Sequence, residues 1–149
     1  METKKMILAG RILSGIVIAF MVFDGVLHMT KVAPVVDAFA KLGWPIGLAV
    51  TLAIVELVCT TLYAYPRTSI LGAILLSGYL GGAVATHLRV GSSLFGETLF
   101  PVYVGILMWG GLYGREVRLR ALIPFSSSAA TRAAVPESPM RRPAAAAQH

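Results

Sequence analysis

The chain has 149 residues, of which 56% are hydrophobic and 13% charged, and it carries a formal net charge of +6. Soluble domains are charged at about a quarter of their residues, so this composition excludes an ordinary water-soluble fold and indicates a membrane protein. The basic residues flank apolar runs instead of forming one basic face interleaved with aromatics, which argues against a nucleic-acid partner and makes the lipid bilayer the expected surroundings.

The first apolar run covers about residues 6–28 and is interrupted only by Arg11 and Asp24. At 1.5 Å per residue it is long enough to cross a hydrocarbon layer of about 30 Å. A cleaved signal peptide is the rival reading, since Lys4 and Lys5 precede the run and Ala38-Phe39-Ala40 has the form of a cleavage site. The run is longer than a signal h-region and contains Asp24, which favours a retained span. Arg11 is shallow enough to reach the interface with its head group and reads as a topological marker.

Residues 29–44 alternate polar and apolar side chains and end in Gly43-Trp44, the pattern of a connector with a short amphipathic turn on the membrane surface. A second span is expected over 45–65, with Pro45 in its first turn and Tyr63 and Tyr65 at its far interface. Cys59 lies in this run, and as the single cysteine it forms no internal disulfide and reads as a small packing residue.

Pro66-Arg67-Thr68 is a turn so short that the next span, 69–88, must lie antiparallel to the second. Ala73, Ser77, Gly81 and Ala85 recur every four residues along it, giving one face of small side chains suited to close helix approach. A polar connector over 89–96 leads to a fourth span over 97–113, where Pro101 is either a first-turn proline or the cause of a kink. Arg115, Arg118 and Arg120 follow at once. From 125 to 149 the chain is Ala, Ser, Pro and Arg without periodicity, which predicts a disordered tail after a single membrane domain of residues 1–124.

The expected fold is therefore all-α: an integral membrane four-helix transmembrane bundle with a short disordered C-terminal tail. Lys4, Lys5, Arg11, Arg67, Arg115, Arg118 and Arg120 fall on one side of the bundle, against Lys31, Lys41 and Arg89 on the other. Positive residues in short loops stay inside, so both termini are expected in the cytoplasm of a bacterial cell, with the protein in its inner membrane.

The ionisable residues can then be placed by depth. Asp24 and His28 are four apart and share a helix face near the outer end of the first span. His87 and Glu97 flank the connector on the same side, and these four form a candidate polar pocket. Glu56 alone lies deep, roughly 15 Å along the second span. A charge there costs about 2.5–3.5 kcal/mol or more, so Glu56 must face the bundle and be protonated or partnered. Tyr79, Ser77 and Thr60 are its candidate structural partners. Two histidines and two carboxylates are donors that suit a divalent transition metal such as Zn, Fe or Mn, but the spacing of the four outer residues matches no metal signature, and no metal is assigned. A quinone or another small polar head group is the organic candidate, and an interfacial set of solvated or paired residues, Asp24 with His28 and Arg89 with Glu97, is the structural alternative.

The order of features resembles the DoxX-like family of four-helix bacterial membrane proteins, over roughly residues 8–124. The resemblance rests on Gly10-Arg11-Ile12-Leu13, the Asp24 to His28 spacing, Leu42-Gly43-Trp44-Pro45, Val55-Glu56-Leu57, Ala85-Thr86-His87-Leu88-Arg89, Leu99-Phe100-Pro101 and the run from Arg115 to Pro124. It implies a four-span bundle, with related families that include membrane subunits of quinone-linked oxidation and of oxidative-stress complexes. Fold alone does not transfer an activity, and the absence of a cofactor motif or thiol pair leans away from an enzyme. The leading expectation is an accessory or ligand-holding membrane subunit, self-associating or bound to a membrane-complex partner. A quinone-linked oxidoreductase subunit and a small proton-coupled transporter are the alternatives, the last weakened by the lack of an internal repeat.

Overall fold

The computed structural model describes residues 2–122, and every regular element among them is helical. The expected tail over 125–149 lies outside the described residues. Helix α1 runs Glu2–Thr30, α2 Ala33–Leu42, α3 Leu48–Ala64 and α4 Ser69–Arg89; one π-helical turn, Leu94–Thr98, then precedes α5, Phe100–Arg115, and α6, Val117–Leu122. The long helices close a ring in which α1 packs on α3 and α5, and α4 packs on α3 and α5. This is a four-helix bundle.

The bundle turns apolar side chains outward as well as inward. Leu8, Ile12, Ile16 and Phe23 of α1, Ile54 and Val58 of α3, Ile74 of α4 and Ile106 of α5 are all exposed. Helices that are apolar all round and apolar on the outside of the bundle are solvated by lipid, not water. The segments Lys4–Thr30, Ser69–Arg89 and Leu94–Arg115 are long and apolar enough to cross a membrane, and α3, at 17 residues, is the short member. At 1.5 Å per residue α3 covers about 25 Å, the lower limit for a span.

α3 starts three residues later than the sequence suggests. Pro45 is not in its first turn; the Pro45 carbonyl accepts from Leu48 N at 3.0 Å and that of Ile46 from Ala49 N at 3.1 Å, so a tight turn carries the chain into the helix. The first connector is itself a helix, α2, ended by Gly43 at φ 69°, where a left-handed residue costs glycine little. Val35 and Phe39 of α2 are buried against Ala49, Leu27 and Leu52, so α2 sits as a cap on the ends of α1 and α3. Pro101 lies in the first turn of α5. Lacking an N–H, it cannot bond the carbonyl of residue 97, and the chain just before it widens into the π turn, with Thr98 N on Ser93 O at 3.0 Å and Leu99 N on Leu94 O at 2.9 Å.

Lipid tails are as apolar as leucine, so helices in a membrane associate through close packing and hydrogen bonds. The closest packing is at the end of the bundle that holds the α3–α4 turn. A Cβ added to Gly10 would lie 2.6 Å from Arg115 N, and one added to Gly72 would lie 2.1 Å from Tyr63 N. Gly111 and Gly114 receive α1 in the same way. Tyr63 is wholly buried there, not at an interface as its place near the span end suggests, while Tyr65 is exposed. Its hydroxyl lies 3.0 Å from Ser14 Oγ and 2.9 Å from the Met108 carbonyl. Arg115 stacks its guanidinium 4.7 Å from the ring centroid and donates to the Tyr63 carbonyl at 2.7 Å.

Of the small-residue face on α4, Ala73 is buried, whereas Ser77, Gly81 and Ala85 are exposed. Ser77 and Gly81 line an open groove of about 480 Å³ between α4 and α5, walled by Leu80, Val84, Pro101 and Trp109. Trp109 Nε1 donates to Ser77 Oγ across it at 2.9 Å.

Candidate functional site

At the end capped by α2, the helical repeat of α1 stacks Asp24 and His28 one turn apart. His28 Nδ1 lies 2.9 Å from the Asp24 main-chain carbonyl and 3.3 Å from Asp24 Oδ2. A carbonyl only accepts, so Nδ1 carries the hydrogen in this contact. Phe39 of α2 meets the imidazole edge-on, with ring centroids 5.6 Å apart and planes at 64°. The His28 side chain is 19% exposed and that of Asp24 38%, so the pair is sheltered but open on the aspartate side.

α3 brings Glu56 to the same place. Gly25, beside Asp24, makes room for the approach: a Cβ there would come within 2.8 Å of Leu57 Cδ2. Glu56 is wholly buried. Its Oε2 accepts from the Tyr79 hydroxyl of α4 at 3.0 Å, and its Oε1 has no hydrogen-bond partner among the described residues. One donor atom each from Asp24, His28 and Glu56 lies within 4.8 Å of the others. Three helices thus converge on a carboxyl pair, an imidazole and a phenol.

The structure divides the expected outer pocket. Asp24 and His28 join the deep Glu56, while His87 and Glu97 make other contacts. His87 Nδ1 lies 3.1 Å from Ser92 Oγ, which fastens the end of α4 to the next connector. Glu97 pairs with Lys41 at 2.6 Å, not with Arg89 as the sequence suggests; Arg89 donates instead to the Leu42 carbonyl. Both contacts strap α2 to the connector side of the bundle. Tyr79, already a candidate partner of Glu56 by position, supplies the fourth group. Phe39 and Gly25 escaped sequence reasoning because each acts only through a neighbour on another element.

A buried carboxyl and a partly exposed one, with an imidazole and a phenol, can exchange protons, hydrogen-bond a polar head group or hold a cation. Together with the fold, this defines a four-helix membrane protein with a cluster of ionisable side chains inside the bundle. The DoxX-like family model matches residues 12–111, and the chain belongs to that family. Comparison with curated proteins and with solved structures gives no match.

Proposed function

We propose that this protein is a ligand-holding accessory subunit of a bacterial inner membrane, with both termini cytoplasmic and the Asp24, His28, Glu56 and Tyr79 centre as its binding site. The observation that carries this reading is Glu56: wholly buried, paired through one oxygen and free at the other. A buried polar atom left without a partner costs about 1–3 kcal/mol, and at Glu56 that atom is a carboxyl oxygen set among the ionisable groups of Asp24 and His28. Ionisable residues inside membranes are functional by default. The excess of basic residues at the end with the α3–α4 turn and α6 supports the orientation.

The accessory role draws on the groove between α4 and α5. Its small residues Ser77, Gly81 and Gly105 suit the close approach of a partner's transmembrane helix. Gly81→Leu fills that approach while leaving the bundle's own contacts alone, and it should release any partner that co-purifies in mild detergent. Orientation is checked by labelling single cysteines introduced at Ser93 and at Val117 from either side of sealed vesicles.

The binding centre is tested by removing its polarity. Replacing Glu56 by Leu together with Tyr79 by Phe takes out both partners of the hydrogen bond and keeps the volume. If the centre exists to hold a ligand, the ligand-free double variant melts at or above the wild-type temperature. A steep fall in melting temperature would assign Glu56 and Tyr79 to architecture and remove the proposal.

A further inference from the structure

We propose that Asp24, His28 and Glu56 bind one divalent transition-metal ion, of the kind that accepts mixed imidazole and carboxylate ligands. This rests on reading the centre as a ligand site and names the ligand. The sequence grouping of Asp24 and His28 with His87 and Glu97 gave no metal pattern. The three-helix centre is a different donor set, because Glu56 replaces the two residues that face elsewhere.

Once the two carboxyls and the imidazole have given up their protons they carry a net charge of −2, which a dication placed among them cancels, so metal binding here displaces protons. Donor placement fits. One atom from each residue lies within 4.8 Å of the others. A tetrahedral set at about 2.1 Å from zinc holds its donors about 3.4 Å apart, so the three donors must draw in from separations of up to 4.8 Å, and with Nδ1 held by the Asp24 carbonyl the His28 ring must turn Nε2 toward the carboxylates. The outer contacts are those that metal ligands need. Tyr79 holds Glu56 Oε2 at 3.0 Å and leaves Oε1, buried and unpartnered, as the donor. The Asp24 carbonyl holds the His28 ring through Nδ1 at 2.9 Å. Such second contacts fix a ligand's orientation and, for histidine, its tautomer.

The donor chemistry narrows the ion. An imidazole with two carboxylates suits Zn²⁺, Mn²⁺ or Fe²⁺, whereas Ca²⁺ needs six or more oxygens and Mg²⁺ prefers oxygen and retained water. Three protein ligands leave a coordination position vacant, and Asp24, at 38% side-chain exposure, is the side from which water or a small anion enters.

The test uses the full chain in detergent, stripped with chelator and titrated with Co²⁺ as a spectroscopic probe and with Zn²⁺ by calorimetry. One equivalent per chain is expected, with visible cobalt bands characteristic of low-symmetry nitrogen and oxygen ligation and a raised melting temperature. His28→Ala and Glu56→Gln should each weaken binding at least tenfold, while His87→Ala, remote from the centre, should leave it unchanged. Asp24→Asn stands in for Glu56→Gln should that variant fail to fold. Equal binding by all variants, or loss on His87→Ala alone, would overturn the assignment. If wild-type protein binds no metal while the Glu56→Leu with Tyr79→Phe variant keeps its melting temperature, the metal fails and the ligand site stands; if that variant unfolds, the site reading fails as well.

Discussion

Two buried polar knots sit at opposite ends of this bundle, and they are built on opposite terms. At the end holding the α3–α4 turn, Tyr63 ties α3 to α1 through Ser14 and to α5 through Met108 and Arg115. Glycines on the neighbouring helices let backbones close over it. At the α2 end, Glu56 ties α3 to α4 through Tyr79 and faces Asp24 and His28 of α1, but keeps a carboxylate oxygen unpartnered. The tyrosine knot spends its polar atoms on holding helices together, and its one unpartnered buried atom, Arg115 Nε, belongs to a guanidinium that already donates to the Tyr63 carbonyl. The carboxylate knot holds one atom in reserve, and in a membrane such a reserve costs stability that packing elsewhere must supply.

The contrast is broken most sharply by filling the space at the tyrosine knot. Gly72→Ala would set a Cβ 2.1 Å from Tyr63 N, and because the obstacle is backbone, α3 and α4 must move apart. Overpacking of this kind costs about 3 kcal/mol. The expected outcome is a large drop in melting temperature in detergent with Tyr63 becoming accessible to solvent. An unchanged melt would mean that the close approach of α3 and α4 is not what seals that end.

The paired replacement of Glu56 by Leu and Tyr79 by Phe should go the other way, by up to about 2 kcal/mol of added stability, since exchanging both partners of a buried polar contact for apolar groups is often neutral or favourable. Tyr63→Phe should instead cost about 1 kcal/mol, the value of a net hydrogen bond. Thermal melts of the two proteins side by side give the sign directly. Two losses would place both knots in the same structural class.

The four helices of the bundle were legible because apolar length acts locally along the chain, three of them long and apolar enough to cross a membrane and α3 shorter. So was the stacking of Asp24 on His28, which follows from the helical repeat alone, and Glu56 with Tyr79, which follows from two antiparallel helices joined by a three-residue turn. What the sequence hid depends on which residues other elements bring near. Glu97 pairs with Lys41 because α2 folds back over the bundle end, and a connector read as a surface turn gives no hint of that. Tyr63 resembles an interfacial tyrosine by position, but it is wholly buried where Gly72 of α4 lets that helix close on the Tyr63 backbone. Ser77 and Gly81 carry the same small-residue signal as Gly10 and Gly114, yet line an open groove. Small side chains permit close approach; they do not say which helix arrives.

The smallest effect belongs to α6, which follows α5 at the tyrosine end of the bundle. Arg118 donates to Glu116 Oε1 at 2.9 Å and to the Pro66 carbonyl at 2.8 Å, joining α6 to the α3–α4 turn. The Arg118 guanidinium holds the Glu116 carboxyl below its ordinary range. A carboxyl held low in the folded state contributes stability above its unfolded pKa of about 4.3, and that contribution is lost as pH falls through the lower folded value. Arg118 is exposed, and exposed pairs are screened, so the effect on stability is slight. Protease cleavage after Arg118 or Arg120 is the more sensitive readout, because α6 has only six residues and its place depends on these contacts. Glu116→Gln should hasten cleavage at neutral pH, most clearly at low salt, and the difference from wild type should vanish only when the pH falls below the lowered folded value of the Glu116 carboxyl. A difference that persists in acid would trace the docking of α6 to Leu119, buried beneath it, rather than to the ion pair.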